Sequence, residues 1–417
     1  MPISKFQKRF TEESGIGRLM EDLGGALAGR KNILMLGGGN PAHIPEVQQF
    51  FQERLHRIVE DPVEFAHIIG NYDPPQGEKR FIGALVDLFN DNYGWKIGPD
   101  NVVLTAGSQS AFFLLFNMFA GEYEDGSHRK ILLPLTPEYI GYSDVGLVND
   151  CFTARKPTIE KLDDHLFKYH IDFNRLEINS DIGAICVSRP TNPTGNVLSD
   201  TEIERLSSMA SQNNVPLIID NAYGLPFPNV VFTNANITWD KHIVLCLSLS
   251  KLGLPGARTG IIVAKPEIIT AIAKMNAIFN LALGSFGPAL ALDIVKSGEI
   301  LSLSNNVIRP YYQRKAVFAV RVLKRELEGV EYFIHKPEGA IFIWLWLPGL
   351  PVSCEDLYLR LKARGVLVVP GHYFFPGLAE DWRHKHECIR ISYAMHDTVV
   401  EQGLRIIAEE IKKIYGV

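Results

Sequence analysis

Several polar groups in this sequence stand immediately after runs of apolar, β-branched residues. Val102–Thr105 is followed by Gly107, Ser108 and Gln109, and the run 182–187 by the loop 188–195, SRPTNPTG, which contains Asn192. The run 216–220 ends in Asp220 with Tyr223 three residues on, and 243–249 leads into Ser250 and Lys251 past Ser248, with Arg258 beyond. If these runs are neighbouring parallel strands, the polar groups meet at the carboxyl edge of the sheet, where such sheets bind ligands. Gly107 to Gln109 at a helix start would offer backbone N–H groups and a hydroxyl to an anion. Lys251, half-buried beside a cation, would have a depressed pKa and act as nucleophile and base. Asp220, taken alone, would be a cap or a solvated loop residue. Singly, each has an ordinary role: a turn and N-cap for Gly107-Ser108, a turn for NPTG, a surface amine for Lys251. The ordered set carries the inference.

The elements that must position these groups are legible as an alternation. Strand-like runs at 102–105, 130–134, 182–187, 216–220, 243–249 and 259–263 are interleaved with helix-length segments at Ser108–Phe119, Asp200–Gln212 and 267–279. Ser199 and Glu202 form a capping-box pattern at the start of the second helix. Apolar strands alternating with helices predict an α/β fold with a mostly parallel sheet covered by helices. After Pro288 the texture changes: helices at 289–296 and 311–327, strands at 332–336, 340–347, 366–370 and 388–393, and a helix at 399–415 predict a smaller α+β domain. The expected organisation is an N-terminal segment (1–45) associated with the small domain, a large domain (46–309) and a small C-terminal domain (310–417).

The series GSQ, NPTG, DxAY, SxSKxxxxPGxR and RISY, with Asn192, Asp220, Lys251 and Arg258 at intervals of 28, 31 and 7 residues, resembles the fold-type I, class I aminotransferases. The resemblance runs from about Gly37 to Tyr393. It implies pyridoxal 5′-phosphate as cofactor, an electron sink held as a Schiff base by a lysine, with an acidic partner on the ring nitrogen. Lys251 would be that lysine and the proton shuttle, Asp220 the acidic partner, and Asn192 and Tyr223 donors to the phenolate oxygen. Gly107, Ser108, Gln109, Ser248 or Ser250, and Arg258 would hold the phosphate, and Tyr139 would stack on the ring. Tyr72, in GNYDPPQG, matches a tyrosine that reaches the phosphate of a neighbouring subunit, which implies a homodimer. Arg390 would bind the substrate α-carboxylate, with Gly39 and Asn192 nearby and Ile16 closing the side-chain pocket. The substrates implied are amino acids and 2-oxo acids, exchanged by ping-pong transamination.

Within this family, dicarboxylate-specific members carry a second arginine where this chain has MNAIFNLALGSFGP (275–288), which holds no cation. That segment, LGGGNPAHIPE and GNYDPPQG together most resemble members that exchange an amino group between valine and pyruvate. A carbon–sulfur β-lyase and an aminocyclopropane-carboxylate synthase share the same cofactor residues and are the alternatives. A transcription-regulator sensor domain would need a DNA-binding module, and the residues before Leu36 are few and not strongly basic.

The composition fits a small-molecule enzyme. With 42 Lys+Arg against 47 Asp+Glu the formal charge is −5, so no basic field invites nucleic acid or an anionic membrane. No apolar run reaches the roughly 18 residues of a membrane helix. Five scattered cysteines without a CxxC pair predict reduced thiols and a cytoplasmic setting. His384, His386 and Cys388 alternate in RHKHEC, but no fourth ligand has zinc spacing; a solvated loop before a strand, and no metal, is expected there.

Overall fold

Strands that are apolar on both faces must be covered on both faces, and the central sheet obeys this. The computed structural model describes residues 3–11, 14–27 and 33–417. The sheet contains β1 (Val102–Thr105), β2 (Gly121–Glu122), β3 (His128–Leu133), β4 (Phe152–Ala154), β5 (Ile182–Ser188), β6 (Leu217–Asp220), β7 (Ile243–Ser248) and β8 (Gly260–Val263). Their order is β1-β8-β7-β6-β5-β3-β2, with β4 also pairing with β3. β4, β3, β5, β6 and β7 pair in parallel, while β8 runs antiparallel to both β7 and β1. Every residue of β1, β5, β7 and β8 is buried. The sheet is mixed, mostly parallel and helix-covered, as expected.

The predicted helices form within two or three residues of the expected ends, at Ser108–Phe119, Asp200–Gln212, Pro266–Phe279, Phe286–Lys296, Arg309–Glu326 and Asp397–Tyr415. The capping box is made: the Glu202 N–H donates to Ser199 Oγ at 3.2 Å, and the Ser199 N–H donates to Glu202 Oε2 at 2.8 Å. Such a cap stabilises a helix by about 1 kcal/mol.

A second sheet has six strands in the order Val369–Pro370, Cys388–Ser392, Phe342–Trp346, Phe333–His335, Leu166–His170 and Thr158–Lys161. The last two come from between β4 and β5 and were not expected as strands. A separate two-stranded pairing sets Leu34–Met35 parallel to Val366–Leu367, which ties the N-terminal segment to the C-terminal part.

The RHKHEC stretch corrects an expectation. It is not a solvated loop throughout: His384 is 3% exposed, is hydrogen-bonded through Nε2 to the Tyr169 hydroxyl, and stacks on Trp382 with centroids 4.5 Å apart. Burial pushes its pKa down to about 3, so it is a neutral core histidine. Among the described residues no helix is long and apolar enough to cross a membrane.

Candidate active site

The carboxyl ends of β5, β6 and β7, with the loop after β1, surround a pocket of about 640 Å³. It brings together Ser108, Gln109, Tyr139, Asn192, Asp220, Tyr223, Ser248, Ser250, Lys251 and Arg258, residues spread over 151 positions of sequence.

Lys251 follows β7 in a short 3-10 turn, Ser250–Leu252. Its Nζ donates to the Gly39 carbonyl at 2.5 Å and lies 5.2 Å from the centre of the Tyr223 ring. Burial, then Arg390 and Arg258, lowers its pKa to about 8, against the opposing pull of Asp220. A large fraction of this amine is therefore neutral and nucleophilic near pH 8, which an exposed lysine would not be.

Asp220 ends β6. Its Oδ2 accepts from the Tyr142 hydroxyl at 2.7 Å and its Oδ1 from the Ala222 N–H at 3.1 Å. Burial raises its pKa, while these two donors hold it down. A cation placed against the carboxylate would favour its ionised form. Behind it stands a network that the sequence reading missed. The Ser188 N–H donates to Glu138 Oε1 at 2.9 Å, the Ser188 hydroxyl bonds the other Glu138 oxygen, and Ser188 Oγ lies 3.3 Å from the Tyr142 hydroxyl. Glu138 is 1% exposed and burial pushes its pKa to about 8.

Gly107 and Ser108 open helix Ser108–Phe119. Gly107 has φ +85°, and a Cβ there would fall 2.1 Å from Arg258 Nη2, so only glycine lets the guanidinium close over the turn. Ser108 Oγ is buried without a hydrogen-bond partner. An orphaned hydroxyl at a helix N-terminus under an arginine is the donor set a phosphate needs. Ser248 Oγ accepts the Ser250 N–H at 3.1 Å, and Gln109 Nε2 donates to the Gly141 carbonyl at 3.0 Å. The Tyr139 ring meets that of Tyr142 edge-on with centroids 5.5 Å apart.

Arg390 comes from the second sheet, on Cys388–Ser392, and is 1% exposed. Nη1 donates to Asn192 Oδ1 at 2.8 Å and Nη2 to the Gly37 carbonyl at 2.6 Å, while Nε is buried without a partner. The guanidinium lies 4.1 Å from the centre of the Phe342 ring. A buried arginine held by neutral acceptors, with no carboxylate on it, is suited to an incoming one.

Two expected residues lie elsewhere. Tyr72 is 82% exposed and outside this pocket. Ile16, on helix Gly15–Leu27, packs half-buried against the main core and does not line the pocket. Its neighbour Gly15 abuts Tyr373 and Ile140.

The chain belongs to the family of class I and II aminotransferases, whose model matches residues 35–407, and it is a pyridoxal 5′-phosphate-dependent transaminase. It is 50% identical over 416 residues to the valine–pyruvate aminotransferase of Escherichia coli (strain K12), covering 100% of this chain and 99% of that protein. The structure of valine–pyruvate aminotransferase AvtA from Salmonella typhimurium LT2 superposes with TM-score 0.89 at 51% identity, covering 96% and 99% of the two chains. A putative amino-acid aminotransferase from Psychrobacter arcticum 273-4 gives TM-score 0.97 at 48% identity, covering 100% and 99%. The residues present fit the cofactor: an orphaned hydroxyl and an arginine for its phosphate, a depressed-pKa amine for its aldehyde, and a buried carboxylate for its ring nitrogen.

Proposed function

We propose that this enzyme moves an amino group between valine and pyruvate, giving 2-oxoisovalerate and alanine. The coenzyme supplies a carbonyl carbon and an electron-withdrawing ring that stabilises negative charge at the substrate α-carbon. The protein supplies the rest. Lys251 would hold the coenzyme covalently, and its amine, once released, would take the proton from the substrate Cα and return it to the former aldehyde carbon. Asp220 would keep the ring nitrogen cationic, with Tyr142 and the Ala222 N–H fixing its two oxygens. Asn192 and Tyr223 would donate to the ring oxygen, Gly107 to Gln109, Ser248, Ser250 and Arg258 would hold the phosphate, and Tyr139 would cover the ring.

Arg390 would take the α-carboxylate through Nη and Nε, exchanging the Asn192 and Gly37 acceptors for a charged one. In Arg390→Lys the forked geometry is lost. The KM values of every amino acid and every 2-oxo acid are expected to rise together, by about 10- to 100-fold given 1.5–3 kcal/mol for a charged hydrogen bond. A rise confined to one substrate pair in steady-state kinetics would remove Arg390 from this role.

The observation that carries the substrate class is the cation-free segment 275–288, supported by the full-length likeness to valine–pyruvate aminotransferases. A distal carboxylate would be left without a partner there. Incubation with alanine and 2-oxoisovalerate should yield valine, and aspartate should be a poorer donor than valine by about 10²-fold or more. Leucine and 2-aminobutyrate should react more slowly than valine but measurably, because one methylene is worth only about 1–3 kcal/mol. Ammonia and pyruvate from cystathionine, without valine formation, would instead mark a β-lyase.

The exposed apolar side chains support a homodimer. Val63, Ile69 and Tyr72 on one segment, and Ile278, Phe279 and Leu281 on another, are 58–83% exposed. The two segments are joined by the Ser285 hydroxyl donating to Asp73 Oδ2 at 2.6 Å. Apolar surface of this kind marks an interface, and Tyr72 would then reach the partner's phosphate site. All five cysteines are buried and free of disulfides, which supports a reducing, cytoplasmic setting.

A further inference from the structure

Outside the coenzyme pocket, three sulfur and nitrogen ligands converge. The alternating residues of RHKHEC part company: His384 and Cys388 point into the core, with Nε2 and Sγ 3.6 Å apart, whereas His386 is exposed and turns toward Cys354 and His372. Cys354 is the first residue of helix Cys354–Ala363 and is buried; His372 sits in the 3-10 turn Gly371–Phe374, and His386 ends the 3-10 turn Arg383–His386. Cys354 Sγ lies 3.4 Å from His372 Nδ1, and one ligand atom from each of the three residues lies within 4.8 Å of the others. The two imidazoles face each other with centroids 5.6 Å apart and planes 18° from parallel.

We propose that Cys354, His372 and His386 form a tetrahedral binding site for a soft divalent cation, Zn²⁺ by the donor set, with solvent at the fourth position. With Zn–S of about 2.3 Å and Zn–N of about 2.0–2.1 Å, a tetrahedral ion holds neighbouring S and N ligands about 3.5 Å apart. The Cys354–His372 edge already has that length. His386 is free at the surface to complete the triangle, and one thiolate with two imidazoles selects Zn²⁺ over the harder cations.

Burial raises the Cys354 thiol pKa, against the weaker pull of the His372 and Gly371 backbone N–H groups, so the thiol is protonated until a cation arrives. Metal binding replaces the Cys354 thiol proton, which leaves to solvent. The neighbours give the site a mechanical consequence. Glu355 accepts from Arg18 Nη1 at 2.5 Å and Tyr373 Oη accepts from the same atom at 3.3 Å, so both residues next to the ligands also anchor helix Gly15–Leu27. Bound metal would lock the turn Gly371–Phe374 to helix Cys354–Ala363 beneath that helix.

Chelator-stripped holoenzyme titrated with Co²⁺ tests this. One equivalent per chain should develop the visible bands of tetrahedral cobalt, at wavelengths longer than those the coenzyme absorbs, and Zn²⁺ should displace it. His386→Asn, a change at an exposed residue that does not line the coenzyme pocket, should weaken Co²⁺ and Zn²⁺ binding by about tenfold or more while activity in chelator stays unchanged. Cys354→Ser should remove the bands. Octahedral cobalt alone, no saturable binding at one equivalent, or affinity undiminished in either variant overturns the proposal.

Discussion

Lys251→Ala is expected to lower kcat by about 10⁴-fold or more, because it would remove the amine proposed as both covalent anchor and proton shuttle. The protein should remain folded. The lysine Nζ makes one hydrogen bond, to the Gly39 carbonyl, and truncation removes a poorly solvated amine rather than stranding a charge. Borohydride reduction of the wild type should tag Lys251 alone, and of the variant should tag nothing. Added small primary amines should restore a fraction of the turnover. Turnover close to wild type in the variant, or a tag on another lysine, would remove Lys251 from the mechanism.

Asp220→Asn has the next largest expected effect and a different signature. The coenzyme should still be captured by Lys251 and trapped by borohydride, yet kcat should fall by about 10²–10³-fold, the usual cost of losing a preorganised charge. The single amide oxygen of asparagine can keep the Ala222 N–H, and its NH2 can donate to the Tyr142 hydroxyl once that hydroxyl turns to accept, so positioning survives while the counter-charge is lost. Because that charge matters most as negative charge develops at the substrate, kcat should suffer more than KM. Stopped-flow measurement of each half-reaction separates the two. Equal loss in coenzyme binding and in chemistry would make Asp220 an anchor only.

The parts of this molecule that were legible in its sequence are those where one physical demand dominates. β1, β5, β6 and β7 are continuous apolar runs because both their faces are covered, and the polar residue that breaks each run marks where the strand reaches the pocket. The same argument locates Asp220 and Lys251. Direction is not written in an apolar run, so nothing in 259–263 announced that β8 is antiparallel. Thr158–Lys161 was missed because an exposed strand, TIEK, carries no apolar alternation. Leu166–His170, with Phe167 and Tyr169 buried between half-exposed neighbours, does alternate, but it follows a charged turn and was passed over. Glu138 was overlooked for another reason. Beside Tyr139 in a proline-led turn it has the composition of a solvated loop, and only the fold reveals that it points inward. His384 misled in the same way, through its charged neighbours Arg383 and Lys385.

Glu138 gives the pocket a concealed titration. Near neutrality its carboxyl keeps a proton, so the wall behind Asp220 is electrically quiet. As alkalinity approaches about 8 that proton departs, and two anions come to share a single serine–tyrosine bridge. The region near pH 8 of a rate profile on this enzyme would then carry this hidden acid together with Lys251, whose amine titrates at about the same value.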